Sequence, residues 1–136
     1  MNVVMKNKLV LLLFLSSILY AKEVLLLHSY HKGYEWTNSI SNAIENSFQF
    51  TDTEITTEYM DTKRVYNKEY MESLFEFYKN RYENRKFDVI IASDNNALEF
   101  LNTYHDQIFI DTPIVFCGIN NFDKKVFKNS NIYKRI

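Results

Sequence analysis

Glycine, proline and cysteine are nearly missing from this 136-residue chain, which has two, one and one of them. With Cys117 as the single cysteine there is no internal disulfide, so the fold depends on its hydrophobic core. So few glycines exclude a glycine-rich phosphate loop and the Gly-x-Ser-x-Gly elbow of serine hydrolases, and no His-Glu-x-x-His helix is present. Charge of one sign is also lacking: 16 basic and 17 acidic side chains give −1, without the basic excess that nucleic acid requires. There is no repeat, low-complexity linker or long charge run. The glycines that remain are placed tellingly. Gly33 falls just past the first apolar run and Gly118 just past the last, where turns need a permissive backbone.

What is abundant is aromatic and apolar, with 11 Phe and 10 Tyr. Residues 1–21 combine Lys6 and Lys8, an apolar run Leu9–Tyr20 and a small residue, Ala21. The run is too short for a spanning helix of roughly 20 apolar residues, so it reads as a signal peptide cleaved after Ala21. Leu19 is large for its place before that site, which leaves an uncleaved anchor as the alternative. Either way the expected location is the periplasm or envelope. Residues 22–136 then suffice for one modest domain.

Val24–Leu27 is continuously apolar, as a strand covered on both faces would be. Trp36, Ile40, Ala43, Ile44 and Phe48 recur at helical spacing and predict one apolar helix face. Glu54–Met60 alternates, with Ile55, Thr57 and Tyr59 on one side, and predicts a strand nearer the sheet edge. Asn67 is a candidate N-cap for a second helix whose buried stripe is Tyr70, Leu74, Phe77, Tyr78 and Arg81 or Tyr82. Val89–Ala92 predicts a central strand, and a helix carrying Ala97, Leu98, Phe100 and Leu101 follows Ser93-Asp94-Asn95. Pro113 opens a last strand, Ile114–Cys117. The order β-α-β-α-β-α-β predicts an α/β fold with an open parallel sheet.

Each predicted strand ends in a polar cluster, and a parallel sheet gathers these at one rim, where ligands of open α/β sheets bind. The candidate ligand-binding residues are therefore His28, Ser29, Tyr30, His31 and Trp36 after the first strand and Asp61, Lys63 and Arg64 after the second. Ser93, Asp94, Asn95 and Asn96 follow the third, and Gly118, Asn120 and Asn121 the fourth. Turn and capping chemistry accounts for part of this polarity. It does not account for Tyr30, His31 and Trp36 bunched together. The helix start after Ser93 favours an anion or carboxylate. Asp61–Arg64 reads equally as an ion-paired turn or as a clamp for an acidic ligand. His28 and His31 with Asp61 or Asp94 make a poor metal set, and no metal or cofactor is expected. Ser29, His31 and Asp94 compose a triad only on paper, so no catalytic residue is expected. Cys117 reads as a buried small hydrophobe.

Four blocks in order, Leu26–Thr37, Tyr59–Arg64, Phe87–Ala97 and Pro113–Phe122, resemble the extracytoplasmic sensor region of a bacterial sensor histidine kinase family. That region is similar to the substrate-binding proteins of ATP-binding-cassette transporters. The resemblance implies the first lobe of a type I periplasmic-binding fold, residues 22–136, with a small solute held between two lobes. It also implies a second lobe and a downstream kinase that this sequence does not show, hence the expectation of a truncated sensor without enzymatic activity of its own. A transporter's substrate-binding protein, partnered by a permease, is the alternative. A periplasmic hydrolase using Ser29 and His31 is a more distant one. Nothing in the sequence points to a stable homo-oligomer.

Overall fold

A computed structural model describes residues 21–121, 123 and 133–135. Residues 1–20 of the expected signal segment, and Phe122 of the last resembling block, lie outside the described residues. The elements are β1 (Lys22–His28), α1 (Glu35–Phe48), β2 (Thr53–Tyr59), α2 (Lys68–Tyr82), β3 (Val89–Ser93), α3 (Asn95–Ile108), β4 (Ile114–Cys117) and β5 (Tyr133–Arg135). They form one open sheet in the order β2-β1-β3-β4-β5, and every neighbouring pair is parallel. The α/β class and the four expected parallel strands are as the apolar runs predict. The fifth strand is an addition. Three residues, two of them basic, carry no periodicity by which a strand is recognised.

Side chains alternate across the sheet, and each face has its own core. Leu25, Leu27, Ile90, Ala92, Ile114 and Phe116 pack with Tyr78, Tyr82, Phe100 and Leu101 of α2 and α3. Val24, Leu26 and Ile91 face the other way, toward Ile44 and Phe48 of α1. Each fully buried aliphatic side chain stabilises the fold by about 1.5–3 kcal/mol. β3 lies between β1 and β4, and β2 lies at the edge, as their patterns predict. Asn67 caps α2, its side chain accepting a hydrogen bond from the Tyr70 amide at 2.8 Å.

Two helix faces differ from the periodic pattern. The residues of α1 that are buried are Thr37 and Ser41, while Trp36 is 49% exposed. In α2 the buried tyrosines are Tyr78 and Tyr82, with Met71, Leu74 and Phe75 packed beside them, and Phe77 and Arg81 face outward. The reason in α1 is polar. Ser41 is drawn inward by the ring of His28, whose Nε2 lies 2.8 Å from the Ser41 hydroxyl. The other ring nitrogen, Nδ1, lies 2.9 Å from the Ser93 hydroxyl, and the ring stacks on Tyr59.

His28 is fully buried, and burial lowers its pKa to about 4. The unfolded chain takes up a proton near the ordinary value of about 6.5, and the folded protein resists it until about 4. Stability is therefore complete above about 6.5 and falls as pH drops toward 4, by on the order of 3 kcal/mol. Urea denaturation at pH 7.5 and pH 4.5 should show a smaller acid loss for His28→Gln than for the parent chain. An equal loss in both would remove His28 as the cause.

Candidate ligand cleft at the switch point of the sheet

From β1 the chain steps to β2 on one side of it, then returns to β3 on the other. The loop leaving β1 runs to α1 on one face, while the loop leaving β3 runs to α3 on the opposite face. The two loops part, and a crevice opens at the carboxyl ends of the strands. Tyr30, Tyr34, Trp36, Lys63, Asp94, Gly118, Ile119 and Asn120 line an open cleft of about 410 Å³ there.

The floor of the crevice is a buried polar seam. The Ser29 hydroxyl donates to the Ser93 carbonyl at 2.7 Å and accepts the Ala97 amide at 2.8 Å, so a residue of β1's loop caps α3. The Ser29 carbonyl accepts both the Thr62 amide, at 2.9 Å, and the Thr62 hydroxyl, at 2.6 Å. The Thr62 hydroxyl accepts from the Asn96 amide group at 2.8 Å. Three strand-end loops are thereby tied to one residue.

Backbone geometry then aims the rim. Gly33, Asp61, Asp94 and Gly118, one behind each of β1 to β4, have φ of 96°, 54°, 70° and 71°. Asp94 is the extreme case. With φ 70° and ψ 169° it occupies a region that is essentially reserved for glycine, at a cost of about 1–3 kcal/mol. Its amide donates to the Cys117 carbonyl at 3.0 Å. Its carboxylate accepts the Trp36 indole N–H, 3.1 Å from either oxygen, and the Ser93 hydroxyl at 3.1 Å. Only 5% of Asp94 is exposed, and burial raises its pKa, opposed by Ser93, Trp36 and the nearby Lys63 ammonium.

Across the cleft the Lys63 ammonium lies 4.7 Å from the ring centroids of both Tyr30 and Tyr34, which meet edge to face at 5.5 Å. Burial and the Asp94 charge both raise the Tyr30 pKa, so its hydroxyl stays protonated. Cys117, half-buried at the end of β4, has its thiol pKa raised first by burial and then by Asp94. A second cluster stands beside the cleft. His31 Nδ1 is 3.3 Å from one Asp61 oxygen, and Arg64 pairs with the other at 3.2 Å.

The structure therefore sorts the candidates. Tyr30, Trp36, Lys63, Asp94, Gly118 and Asn120 line the cleft, joined by Tyr34 and Ile119, which the polar clusters did not single out. His28, Ser29 and Ser93 are fully buried beneath it, which corrects their place at the ligand. Asp61 and Arg64 form an ion pair within the turn, with His31 against the other Asp61 oxygen. Asn95 and Asn120 exchange side-chain and backbone hydrogen bonds at 3.0 and 3.1 Å, and Asn96 is committed to Thr62. Asn121 is exposed, with φ 54°, and is outside the cleft lining. Ser29, His31 and Asp94 do not converge, since both hydrogen-bonding roles of the Ser29 hydroxyl are filled and His31 faces Asp61. Among the described residues no group of three or more His, Cys, Asp or Glu side chains is placed to hold a metal.

A larger concavity, about 770 Å³, opens at the opposite end of the sheet around Glu23 and Asn84–Asp88. There Arg85 pairs with Glu23 and Glu54 and Asp88 with Lys22, while Lys86 is exposed.

A β-carbon on Gly118 would stand 3.1 Å from Asp94 Oδ1, whereas one on Gly33 would meet nothing within 4 Å. Both substitutions to alanine carry the left-handed penalty of about 1–2 kcal/mol. Gly118→Ala should cost more than Gly33→Ala in urea denaturation and alone shift Trp36 emission, because it displaces the indole's acceptor. Equal effects would show that Gly118 is required only for its turn. Comparison of the chain with models of protein families, with curated proteins and with solved structures returns no match.

Proposed function

We propose that this chain is the small-solute-binding lobe of an extracytoplasmic sensor of the two-component type, taking its solute in the cleft at the switch point. The observation that carries the proposal is Asp94. A non-glycine residue in that backbone conformation costs the fold about 1–3 kcal/mol, and strain of this kind clusters at ligand clamps and active sites. The strained residue holds a nearly buried carboxylate against Trp36, with Lys63 and two tyrosine rings opposite. A concave site with aromatic walls and a few converging polar groups is the usual form of a small-molecule site. The sensor assignment is supported by the four sequence blocks that resemble such regions, and the extracytoplasmic location by the pattern of residues 1–21. Ligand would act by favouring one of two arrangements of the rim.

Trp36 is the one tryptophan in the chain, which makes its fluorescence specific to the cleft. Titration with a panel of cationic, anionic and neutral solutes up to millimolar concentration should give a saturable change with at least one class. Asp94→Asn should weaken that response by about tenfold, the loss of one charge-assisted contact of about 1.4 kcal/mol. No saturable change with any class would overturn the proposal.

A further inference from the structure

The cleft already contains a cation, and that cation belongs to the protein. Lys63 enters from the loop after β2, and its ammonium stands equally close, 4.7 Å, to the Tyr30 and Tyr34 rings. The Asp94 carboxylate lies within electrostatic reach of it, and the half-exposed indole of Trp36 lines the same space. Two tyrosines, a tryptophan and a carboxylate around one opening are the parts with which proteins recognise organic ammonium ions.

The anionic alternative fits less well. An acidic ligand drawn to the start of α3 would meet the chain's own carboxylate there, because Asp94 is the residue preceding that helix. The Ala97 amide, a donor at that helix end, is already taken by Ser29. Lys63 has left the α3 end to Asp94 and lies instead over aromatic faces. The exposed Lys63 side chain lays its ammonium against two π-clouds, an environment that suits a cation and offers an anion nothing.

We infer that the cleft binds small organic ammonium ions, and that Lys63 is a tethered competitor which occupies the aromatic slot until such an ion displaces it. The inference builds on the solute-binding function proposed above and adds the chemical class of the solute and a built-in limit on affinity. Displacement is possible because Lys63 is a surface-exposed side chain on a flexible four-carbon stem. The entering ion takes over the contacts to Tyr30 and Tyr34, and Asp94 supplies its counter-charge. The lysine ammonium moves out into water.

The test follows the single indole N–H resonance in 15N-labelled full chain, with tetramethylammonium chloride and sodium acetate as probes and sodium chloride as the ionic-strength reference. Tetramethylammonium should shift the peak saturably, and Lys63→Gln should tighten its midpoint by about tenfold, a fold-change in keeping with removal of a cation–π competitor. Tyr34→Leu should abolish the shift while leaving the fold intact by circular dichroism. An unchanged or weaker midpoint in Lys63→Gln would overturn the competitor role. A saturable shift with acetate that is lost in Lys63→Gln would overturn the ammonium class and leave a solute-binding cleft standing. No shift with any solute, including the panel used above, would overturn both.

Discussion

Everything at the rim depends on the hydrogen bonds that the Ser29 backbone and side chain make beneath it. One residue joins the end of β1 to the Ser93 carbonyl, to the first turn of α3 and to Thr62 behind β2. These partners lie 33 to 68 residues away in sequence, and all but the Thr62 contact cross the switch point. Buried polar groups are costly unless paired, and here each pairing also fixes the relative position of two loops. The His28 ring, held between Ser93 and Ser41, extends the same seam to α1. The seam thus does for this small domain what a disulfide cannot, given a single cysteine: it fastens loops that would otherwise move independently.

On that foundation the strain at Asp94 becomes sustainable. A residue in a conformation reserved for glycine persists only when its surroundings over-determine it. Asp94 is held through its amide by β4, through its carboxylate by α1 and Ser93, and sterically by Gly118, where a larger residue would intrude. Elements β3, β4 and α1 thus converge on one residue. Its neighbour Lys63 is held quite differently, by the faces of two rings and no rigid scaffold. The cleft couples a fixed negative charge with a movable positive one.

Much of this architecture was legible in the sequence. The apolar runs Val24–Leu27, Val89–Ala92 and Ile114–Cys117 could hardly be anything but covered strands, and a parallel sheet puts their polar successors on one rim. The Asn67 cap was legible too, because capping chemistry is local. Trp36 was legible only in part: the polar loop marked it for the cleft while its spacing matched a core-facing stripe, and only the three-dimensional position of His28 explains why Ser41 turns inward instead. The Lys63 contacts with Tyr30 and Tyr34 were equally hidden, since they join loops some thirty residues apart and depend on the register of β1 with β2. Strand β5 was too short and too basic to register as a strand. Local rules revealed the frame, while long-range pairings decided which polar residues face the cleft and which lie under it.

The edge strand β2 has a consequence of another kind. A parallel sheet with an open border invites a further strand from a neighbouring chain. Along β2, Glu54 and Glu58 carry charge at that border, with Glu58 engaged by Arg81 and the Tyr82 hydroxyl and Glu54 by Arg85. A foreign strand docking here would have to set its own side chains beside these charged groups. The charged border therefore acts as a guard against edge-to-edge aggregation, and it leaves the side of the sheet beyond β4 as the direction in which strands are added.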